Sequence, residues 1–319
     1  MLLKKSQIQL GGTDNNPDDP RFANLRFDSY SADIGILGLP FDGGVKNGGG
    51  RPGAALAPNA IREQLLHYGT ATSIVHGTDL RSLTLTDCAD VVDVSGSGDH
   101  VYKNITTVTR FLLRDIKTLI VLGGGHDLSY ATIKALRQDG SIGGMNIDAH
   151  FDVRPVVNGI VTSGTPFRRL LDEGLLWGGN FFEVGGQGHV NAVSHLEYLW
   201  SCDTEVYLLD HARKLGADSV FERFVLSMEK CDGLFVSLDV DSVAQAFAPG
   251  SSAPSPDGFS PTDVLRFAYL AGKEPRVRLF EIMEVNPVYD VDGRTARLAA
   301  NIVIEFCHGF AARTGRPTK

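Results

Sequence analysis

The first candidate site is the segment Asp-Ala-His-Phe-Asp, which follows a short, mainly apolar run at 144–147. Asp148, His150 and Asp152 occupy alternate positions, so in an extended chain their side chains project from one side. Carboxylate and imidazole groups placed in this way can bind a metal ion. A carboxylate-rich loop after a strand is also common as a solvated turn or a helix N-cap. The metal interpretation therefore needs support from elsewhere in the chain.

Two further segments give that support, because each also places chemical groups after an apolar run. One holds a histidine after a triple glycine and the other holds an aspartate pair. Pooled with the first segment, they give four carboxylates, two imidazoles and no thiolate: His126, Asp148, His150, Asp152, Asp239 and Asp241. This donor set favours a divalent ion such as manganese over structural zinc, which prefers Cys and His. Because carboxylates this close repel one another, the set predicts two cations rather than one.

The elements that must position these side chains are strands alternating with helices. Apolar runs predict strands at 33–40, 90–94, 119–122, 144–147, 181–184, 205–209, 234–238 and 277–282. Helical spacing is found near 57–66, 101–115, 127–136, 165–173, 191–200, 214–229, 261–271 and 293–309. The alternation predicts an α/β fold with a mainly parallel sheet covered on both faces. In such folds ligands bind outside the carboxyl ends of the strands, and the candidate residues, together with Glu284, all follow strands.

The chain shows no long linker, internal repeat or low-complexity segment, and we predict a single domain over 1–319. Residues 1 to about 30 are polar and rich in turn formers, which predicts an irregular leader on the surface. The glycine-rich stretch 41–54 fits neither the P-loop nor the dinucleotide fingerprint. We interpret it as a close-packed loop beside the site rather than a phosphate cradle.

Composition restricts the partners. A formal charge of -8 and a pI near 5.6, without clustered Lys and Arg, argue against nucleic acid. The N-terminus lacks the apolar core of a secretory signal, and no stretch reaches the roughly 18 apolar residues that span a bilayer. We therefore predict a cytoplasmic protein with no membrane partner. The four cysteines are scattered and are interpreted as reduced, mostly buried thiols.

Several segments, in this order, resemble the signatures of the arginase and agmatinase family of ureohydrolases. They are Leu-Pro-Phe-Asp-Gly-Gly at 39–44, Arg-Pro-Gly-Ala at 51–54 continuing through 58–62, Gly-Gly-Gly-His-Asp at 123–127, Asn-Ile-Asp-Ala-His-Phe-Asp at 146–152, Ser-Leu-Asp-Val-Asp at 237–241 and Met-Glu-Val-Asn-Pro at 283–287. The resemblance covers roughly 33 to 309 and implies a three-layer α/β/α arginase-like fold with two Mn²⁺ ions per chain. It also implies a homo-oligomer, a trimer or a hexamer.

Carried over by position, the resemblance implies a role for each site residue. One ion would be bound by His126, Asp148, Asp152 and Asp239, and the other by Asp148, His150, Asp239 and Asp241, so that Asp148 and Asp239 bridge. Asp152 would move a proton from the attacking water to the leaving amine. Glu284 would hold the cationic amidine or guanidine of a small-molecule substrate.

Departures from arginase indicate which amidine is hydrolysed. Phe167 stands where arginases carry a histidine, Arg154 replaces an asparagine, and no Asp-Pro follows the Asp239 pair. Ser-Gly-Thr-Pro-Phe from Ser163, with Arg154, resembles the formimidoylglutamases, which hydrolyse N-formimidoyl-L-glutamate to L-glutamate and formamide in histidine degradation. Their substrate carries two carboxylates, and Arg154 could bind one bidentately. Ser163 resembles the carboxylate-binding serine of the family.

Other interpretations stay open at this stage. The enzyme could be an agmatinase or another guanidino-acid ureohydrolase, and a structural acid could pair with Arg154 instead. A catalytically silent, arginase-like binding protein is the alternative from another class, although it predicts a broken ligand set. Gln187, His189 and Asn191 are further candidates for substrate contact, and Phe247 and Phe259 for walls of the pocket.

Overall fold

The computed structural model of the chain describes residues 2–11, 16, 18–27, 31–92, 100–137 and 140–313. Its strands in these ranges are β1 (Leu3–Lys4), β2 (Ala32–Gly38), β3 (Thr72–Ser73), β4 (Thr78–Asp79), β5 (Leu85–Val91), β6 (Ile116–Leu122), β7 (Ile142–Ile147), β8 (Phe181–Gly186), β9 (Glu205–Leu208), β10 (Gly233–Asp239) and β11 (Val277–Met283). Its helices there are α1 (Gly43–Asn47), α2 (Ala57–His67), α3 (Val101–Leu112), α4 (Ser129–Leu136), α5 (Pro166–Asp172), α6 (Val193–Ser201), α7 (Leu209–Ser227), α8 (Pro261–Lys273) and α9 (Arg294–Ala312).

Nine strands form one sheet in the order β1-β5-β2-β6-β11-β10-β7-β8-β9. Every pairing from β5 to β9 is parallel, and only β1 runs antiparallel to its neighbour. The central strands are apolar and buried because helices cover both faces of the sheet. The prediction of an α/β fold with a mainly parallel sheet is confirmed.

Two apolar cores lie on opposite sides of the sheet. One core contains side chains from α2, α7, α8 and α9, and the other contains side chains from α3, α4, α5 and α6. Several helices begin where the sequence has a start signal: α2, α5 and α8 carry proline in their first turn, and α8 also has a capping box between Ser260 and Asp263. The result is three layers, helix on sheet on helix.

The N-terminal leader differs from the prediction of an irregular surface segment. β1 pairs with β5, so the first described residues extend the sheet by a strand. Phe22 is fully buried, and Leu10 and Leu25 also lie in the core. The prediction rested on the polar residues that dominate the composition of this segment. The few apolar side chains among them are buried by the hydrophobic effect, and they hold the segment against the core.

Several predicted elements differ in their bounds, most of all β5 and α7. The strand predicted at 90–94 is β5, which begins earlier, and positions 93 and 94 lie outside the described residues. The Asp-Gly pair at 139–140 predicts the end of the helix at 127–136, and Asp139 also lies outside the described residues. The helix predicted from 214 begins at Leu209 and turns at Gly216, where φ is 77°. No helix in the described ranges is both long enough and apolar enough to cross a membrane.

Candidate metal centre

The candidate ligands lie at the carboxyl ends of three strands, β6, β10 and β7, and Glu284 lies at the end of β11, which stands between β6 and β10. His126 is in a 3-10 turn shortly after β6, Asp148 follows β7, Asp239 is the last residue of β10 and Glu284 follows β11. Parallel strands end at the same edge of a sheet, so the order of the strands brings these distant segments together.

Four donor atoms converge around His126. Its Nδ1 atom lies 3.2 Å from Asp148 Oδ2, 3.0 Å from Asp152 Oδ2 and 3.1 Å from Asp239 Oδ2. This fully buried nitrogen has no hydrogen-bond partner in the described part of the chain. A buried nitrogen without a partner, facing three carboxylate oxygens, fits a divalent cation placed between them.

A second group of donors lies beside the first and shares Asp148 with it. Asp148, His150 and Asp241 offer ligand atoms that all lie within 4.8 Å of one another. His150 Nδ1 is 3.0 Å from Asp241 Oδ2 and 3.6 Å from Asp148 Oδ1. The structure thus brings all six predicted side chains together.

Asp239 belongs to the first group only. Its Oδ1 atom accepts a hydrogen bond from the backbone N–H of Asp241 at 2.8 Å, in the same way that Asp148 Oδ1 accepts one from the N–H of His150 at 2.7 Å. Asp148 belongs to both groups and so has the geometry of a bridging ligand, whereas bridging by Asp239 stays a prediction.

The cluster carries more negative charge than its own histidines can balance. Burial, followed by the charges of neighbouring carboxylates, raises the pKa of Asp239 well above its usual range. Burial also raises the pKa of Asp241 to about 6. The charge of Asp241 raises the pKa of His150 to about 12. Each shift shows that the site favours added positive charge, which a divalent cation supplies.

Two site residues have left-handed backbone. The φ angles of Asp152 and Glu284 are 48° and 64°, a region that non-glycine residues rarely adopt. Hydrogen bonds hold both in place: the N–H of Phe167 donates to Asp152 O at 3.2 Å, and the N–H of Glu284 donates to Gly124 O at 2.9 Å. Such strain is concentrated at functional sites, where the surrounding structure fixes it.

A cavity of about 130 Å³ lies over the cluster. It is lined by Gly48, Gly50, His150, Asp152, Arg154, Thr162, Ser163, Gly164, Asp239, Asp241, Ser252, Ala253 and Glu284. All the predicted catalytic and substrate-binding residues line it, whereas His126 and Asp148 are completely buried. The glycine-rich loop contributes Gly48 and Gly50, in agreement with a packed loop beside the site.

The sequence profile of the Arginase family matches residues 32–309. The chain belongs to the arginase family. A formimidoylglutamase of Halalkalibacterium halodurans is 32% identical over 283 residues, which is 86% of this chain and 86% of that protein. The proclavaminate amidinohydrolase of Streptomyces clavuligerus is 30% identical over 305 residues, 92% of this chain and 93% of that one.

Solved structures of arginase-family members agree with the fold. The crystal structure of Trypanosoma cruzi formiminoglutamase with Mn²⁺ has a TM-score of 0.87 and 33% identity, covering 93% of this chain and 100% of that one. The formimidoylglutamase of Bacillus subtilis has a TM-score of 0.86 and 29% identity, covering 95% of each chain. The three-layer arginase-like fold is thereby confirmed.

Phe167, at the position where arginases carry a histidine, does not enter the cavity. It is fully buried, stacks on Phe181 with ring centroids 4.9 Å apart, and meets the ring of His126 edge-on at 5.5 Å. This residue therefore supports a candidate ligand in this arginase-family member and does not face the substrate space.

The residues suggested after β8 form loop contacts instead of lining the cavity. The side chain of Asn191 accepts from the N–H of Phe151 at 2.9 Å and donates to Ala149 O at 2.8 Å. Gln187 bonds to Asp257 O and to the hydroxyl of Ser255. His189 is exposed and is not among the residues that line the cavity.

The two phenylalanines suggested as walls are also absent from the cavity lining. Phe259 is buried in the core, whereas Phe247 is 44% exposed and lines a separate surface pocket.

Sequence reasoning missed two buried acids beneath the site, Glu183 in β8 and Glu281 in β11. Glu281 accepts from the hydroxyl of Thr132 at 2.5 Å, on the side of the sheet where His126 Nε2 lies 3.0 Å from Ser237 Oγ. The available signal was a glutamate within a mainly apolar strand, because burying a carboxyl group is unfavourable unless it has a partner.

Proposed function

We propose that this chain is a manganese-dependent formimidoylglutamase that hydrolyses N-formimidoyl-L-glutamate to L-glutamate and formamide. The observation that carries the proposal is a single small cavity in which Arg154 lies beside the carboxylate–imidazole cluster. The formimidoylglutamases of Halalkalibacterium halodurans and Bacillus subtilis, each 32% identical to this chain, support it. So does the likeness to a formiminoglutamase structure with Mn²⁺.

The six clustered side chains would hold the cofactor. His126, Asp148, Asp152 and Asp239 form the first group, and Asp148, His150 and Asp241 form the second. When bound, two Mn²⁺ ions lower the pKa of water and so supply a nucleophile at neutral pH. A mixed carboxylate and imidazole donor set without thiolates suits manganese.

Asp152 is proposed as the residue that moves the proton. Its carboxyl group lines the cavity and is held among the other ligands by its strained backbone. Water adds to the amidine carbon and makes it tetrahedral, and the bond between that carbon and the nitrogen of glutamate breaks as the C=O bond of formamide forms. One water proton passes through Asp152 to the leaving nitrogen. The second, from the new hydroxyl group, also goes to that nitrogen, so a cationic amidine and water give formamide and glutamate with a protonated amino group.

Glu284 is proposed to hold the amidine. Its Oε1 atom accepts from the backbone N–H of His126 at 2.8 Å, while Oε2 has no partner in the described part of the chain. Burial raises the pKa of Glu284 to about 8, which favours its neutral form. A cationic amidine bound beside the group would stabilise the carboxylate form. The free oxygen can accept a charge-assisted hydrogen bond from the amidine N–H.

Arg154 is proposed to bind a substrate carboxylate. Its backbone N–H donates to Gly164 O at 2.8 Å, which fixes the loop, and its exposed side chain lines the cavity. Among the described residues it forms no salt bridge, so the structural pairing considered from the sequence is not observed there. Ser163, on the opposite segment, is a second candidate for the same carboxylate.

A substrate panel tests the proposal. Protein reconstituted with Mn²⁺ should release formamide from N-formimidoyl-L-glutamate faster than it releases urea from agmatine or from guanidino acids. The similarity to a proclavaminate amidinohydrolase favours a guanidino-acid amidinohydrolase as the second candidate. Urea release without formamide release would establish that second activity and reject the first.

A catalytically silent, arginase-like binding protein is the alternative from another class, and measuring the metal content of the protein after manganese loading tests it. All six candidate ligands are present and converge, which is not the pattern of a lost site. Absence of bound metal after manganese loading would support the silent protein.

Three broader predictions belong with this function. We propose that the chain acts as a single domain, that it assembles into a homo-oligomer and that it resides in the cytoplasm. Analytical ultracentrifugation of the purified protein tests the oligomer, and cell fractionation tests the location.

A further inference from the structure

Four buried polar side chains form a row across the sheet, directly beneath the candidate metal centre. Glu183 in β8 is in register with Asn146 in β7, Asn146 with Ser237 in β10, and Ser237 with Glu281 in β11. All four are completely buried. Asp148 and Asp239 stand two residues after Asn146 and Ser237, so they continue the same face of their strands. The row therefore lies one layer below the ligands.

The amide of Asn146 links one end of this row to the metal centre. Its Nδ2 atom donates to Asp148 Oδ2 at 3.2 Å and to the two carboxyl oxygens of Glu183 at 3.1 and 3.2 Å. An amide nitrogen carries two hydrogens, so one can point to each acid.

The orientation of this amide is set by its two acidic neighbours. Asn146 Oδ1 is buried and has no partner in the described residues. Rotating the amide by half a turn would bring that oxygen against the carboxyl oxygens of Asp148 and Glu183. The NH₂ group of Asn146 therefore faces both acids. The hydrogen bonds to Glu183 prevent the amide from rotating its NH₂ group away from Asp148.

Asp148 is the side chain for which orientation matters most. It is the one residue shared by the two ligand groups. Its Oδ2 atom faces His126, while Oδ1 accepts from the backbone N–H of His150 at 2.7 Å and faces the ring of that residue. A rotation of this carboxyl group would displace ligand atoms from both groups at once.

We propose that Glu183 is a positioning residue for the metal centre, acting through Asn146 to fix the carboxyl group of Asp148 in the orientation that both ligand groups need. The inference rests on the metal site of the proposed function and extends it to a residue that lies outside the cavity. An apolar side chain would fill the same place in β8 without the cost of burying a carboxyl group, and the neighbouring Phe182 and Val184 are apolar. The acid is therefore explained by its hydrogen bond to Asn146.

The test compares two substitutions of Glu183 with a matched control. Glu183→Met keeps the approximate volume and removes the acceptor, whereas Glu183→Gln keeps one acceptor oxygen for Asn146. Phe182→Leu is the control, because Phe182 is buried in the same strand and packs in the core on the other face. Mn²⁺ affinity by isothermal titration calorimetry and the electron paramagnetic resonance spectrum of bound Mn²⁺ are the readouts, with thermal unfolding to measure stability.

We expect Glu183→Met to weaken Mn²⁺ binding about 10- to 100-fold, which is typical for residues that orient metal ligands, and to alter the spectrum. Glu183→Gln should retain most of the affinity. Phe182→Leu should unfold at a lower temperature yet bind Mn²⁺ normally. A folded Glu183→Met protein with unchanged affinity and spectrum would reject the inference, as would a loss equal to that of Phe182→Leu.

The Asn146→Ala variant and the unsubstituted protein are also measured for Mn²⁺ binding. If Glu183→Met does not fold, Asn146→Ala tests the same link, and unchanged Mn²⁺ affinity in that variant rejects the inference. Failure of the unsubstituted protein to bind Mn²⁺ would reject the proposed function instead, so the two failures are distinguishable.

Discussion

In the proposed function, the guanidinium group of Arg154, with Ser163 on the opposite segment, distinguishes a dicarboxylate substrate from a simple amine. The loop that carries it is closely packed, because a Cβ atom on Gly164 would lie 2.9 Å from Cδ of Arg154. Glycine at that position lets the side chain lie along the opposite strand of the loop. A bidentate contact to a carboxylate needs a guanidinium group whose side chain is held in place by such packing.

We expect Arg154→Ala to raise KM for N-formimidoyl-L-glutamate by about 10-fold or more, because a hydrogen bond to a charged group contributes about 1.5–3 kcal/mol. The kcat value should change little, since a contact to a carboxylate that takes no part in the bond changes is made equally in the ground state and the transition state. Steady-state kinetics measures both constants. Arg168→Ala is the control, because Arg168 pairs with Asp172 on α5 and does not line the cavity. An unchanged KM for Arg154→Ala would remove the physical basis of the substrate choice.

Between elements, a buried ion-pair network joins helix α2 to strand β5. Arg62 is completely buried and lies 2.9 Å from Asp87 and 2.7 Å from Asp90. The network crosses a bulge in β5 where Ala89 has a φ angle of 69°. This contact fixes α2 against the sheet.

Arg62→Leu should reduce the free energy of unfolding by about 3–5 kcal/mol at pH 7, because removing one partner leaves buried carboxylates without a counter-charge. Burial already raises the pKa of Asp90, so the folded state binds its proton more tightly than the unfolded state does. The loss should therefore shrink as pH falls and the carboxylates become protonated.

Urea unfolding at pH 7 and pH 5 measures this effect. Arg266→Leu is the control, since Arg266 pairs with Asp218 at the surface and should contribute only about 0–1 kcal/mol. A loss that is equal at both pH values, or no larger than that of the control, would contradict the argument.

For the whole molecule, the candidate metal centre connects the ends of three central strands of the sheet, β6, β10 and β7. Cations bound there would offset the repulsion among its buried carboxylates. Metal binding to the folded state alone should stabilise the protein by about 2.7 kcal/mol when free Mn²⁺ is at 100 times its Kd.

Thermal unfolding with and without Mn²⁺ should therefore show a higher Tm in its presence. Asp239→Ala is expected to lose this shift together with metal binding and activity, because Asp239 Oδ2 is one of the atoms that face His126. A Tm that does not respond to Mn²⁺ in the unsubstituted protein would be inconsistent with a metal-stabilised fold.

The sequence by itself determined the candidate ligands and most of the strands and helices, with β1, β3, β4 and α1 as the elements it did not indicate. Apolar runs and helical spacing are local patterns, and Asp148, His150 and Asp152 share one short segment whose geometry follows from alternation along the chain. Parallel topology then predicted that ligands from separate segments would meet at one edge.

The tertiary structure decided what depends on contacts between distant segments. Pairing of β1 with β5 and burial of Phe22 place the leader in the fold, and only the register between β7 and β8 sets Glu183 beside Asn146. The packing of Phe167 on His126 likewise joins residues 41 positions apart in the chain. Register and packing arise from long-range contacts, which spacing along one segment does not encode.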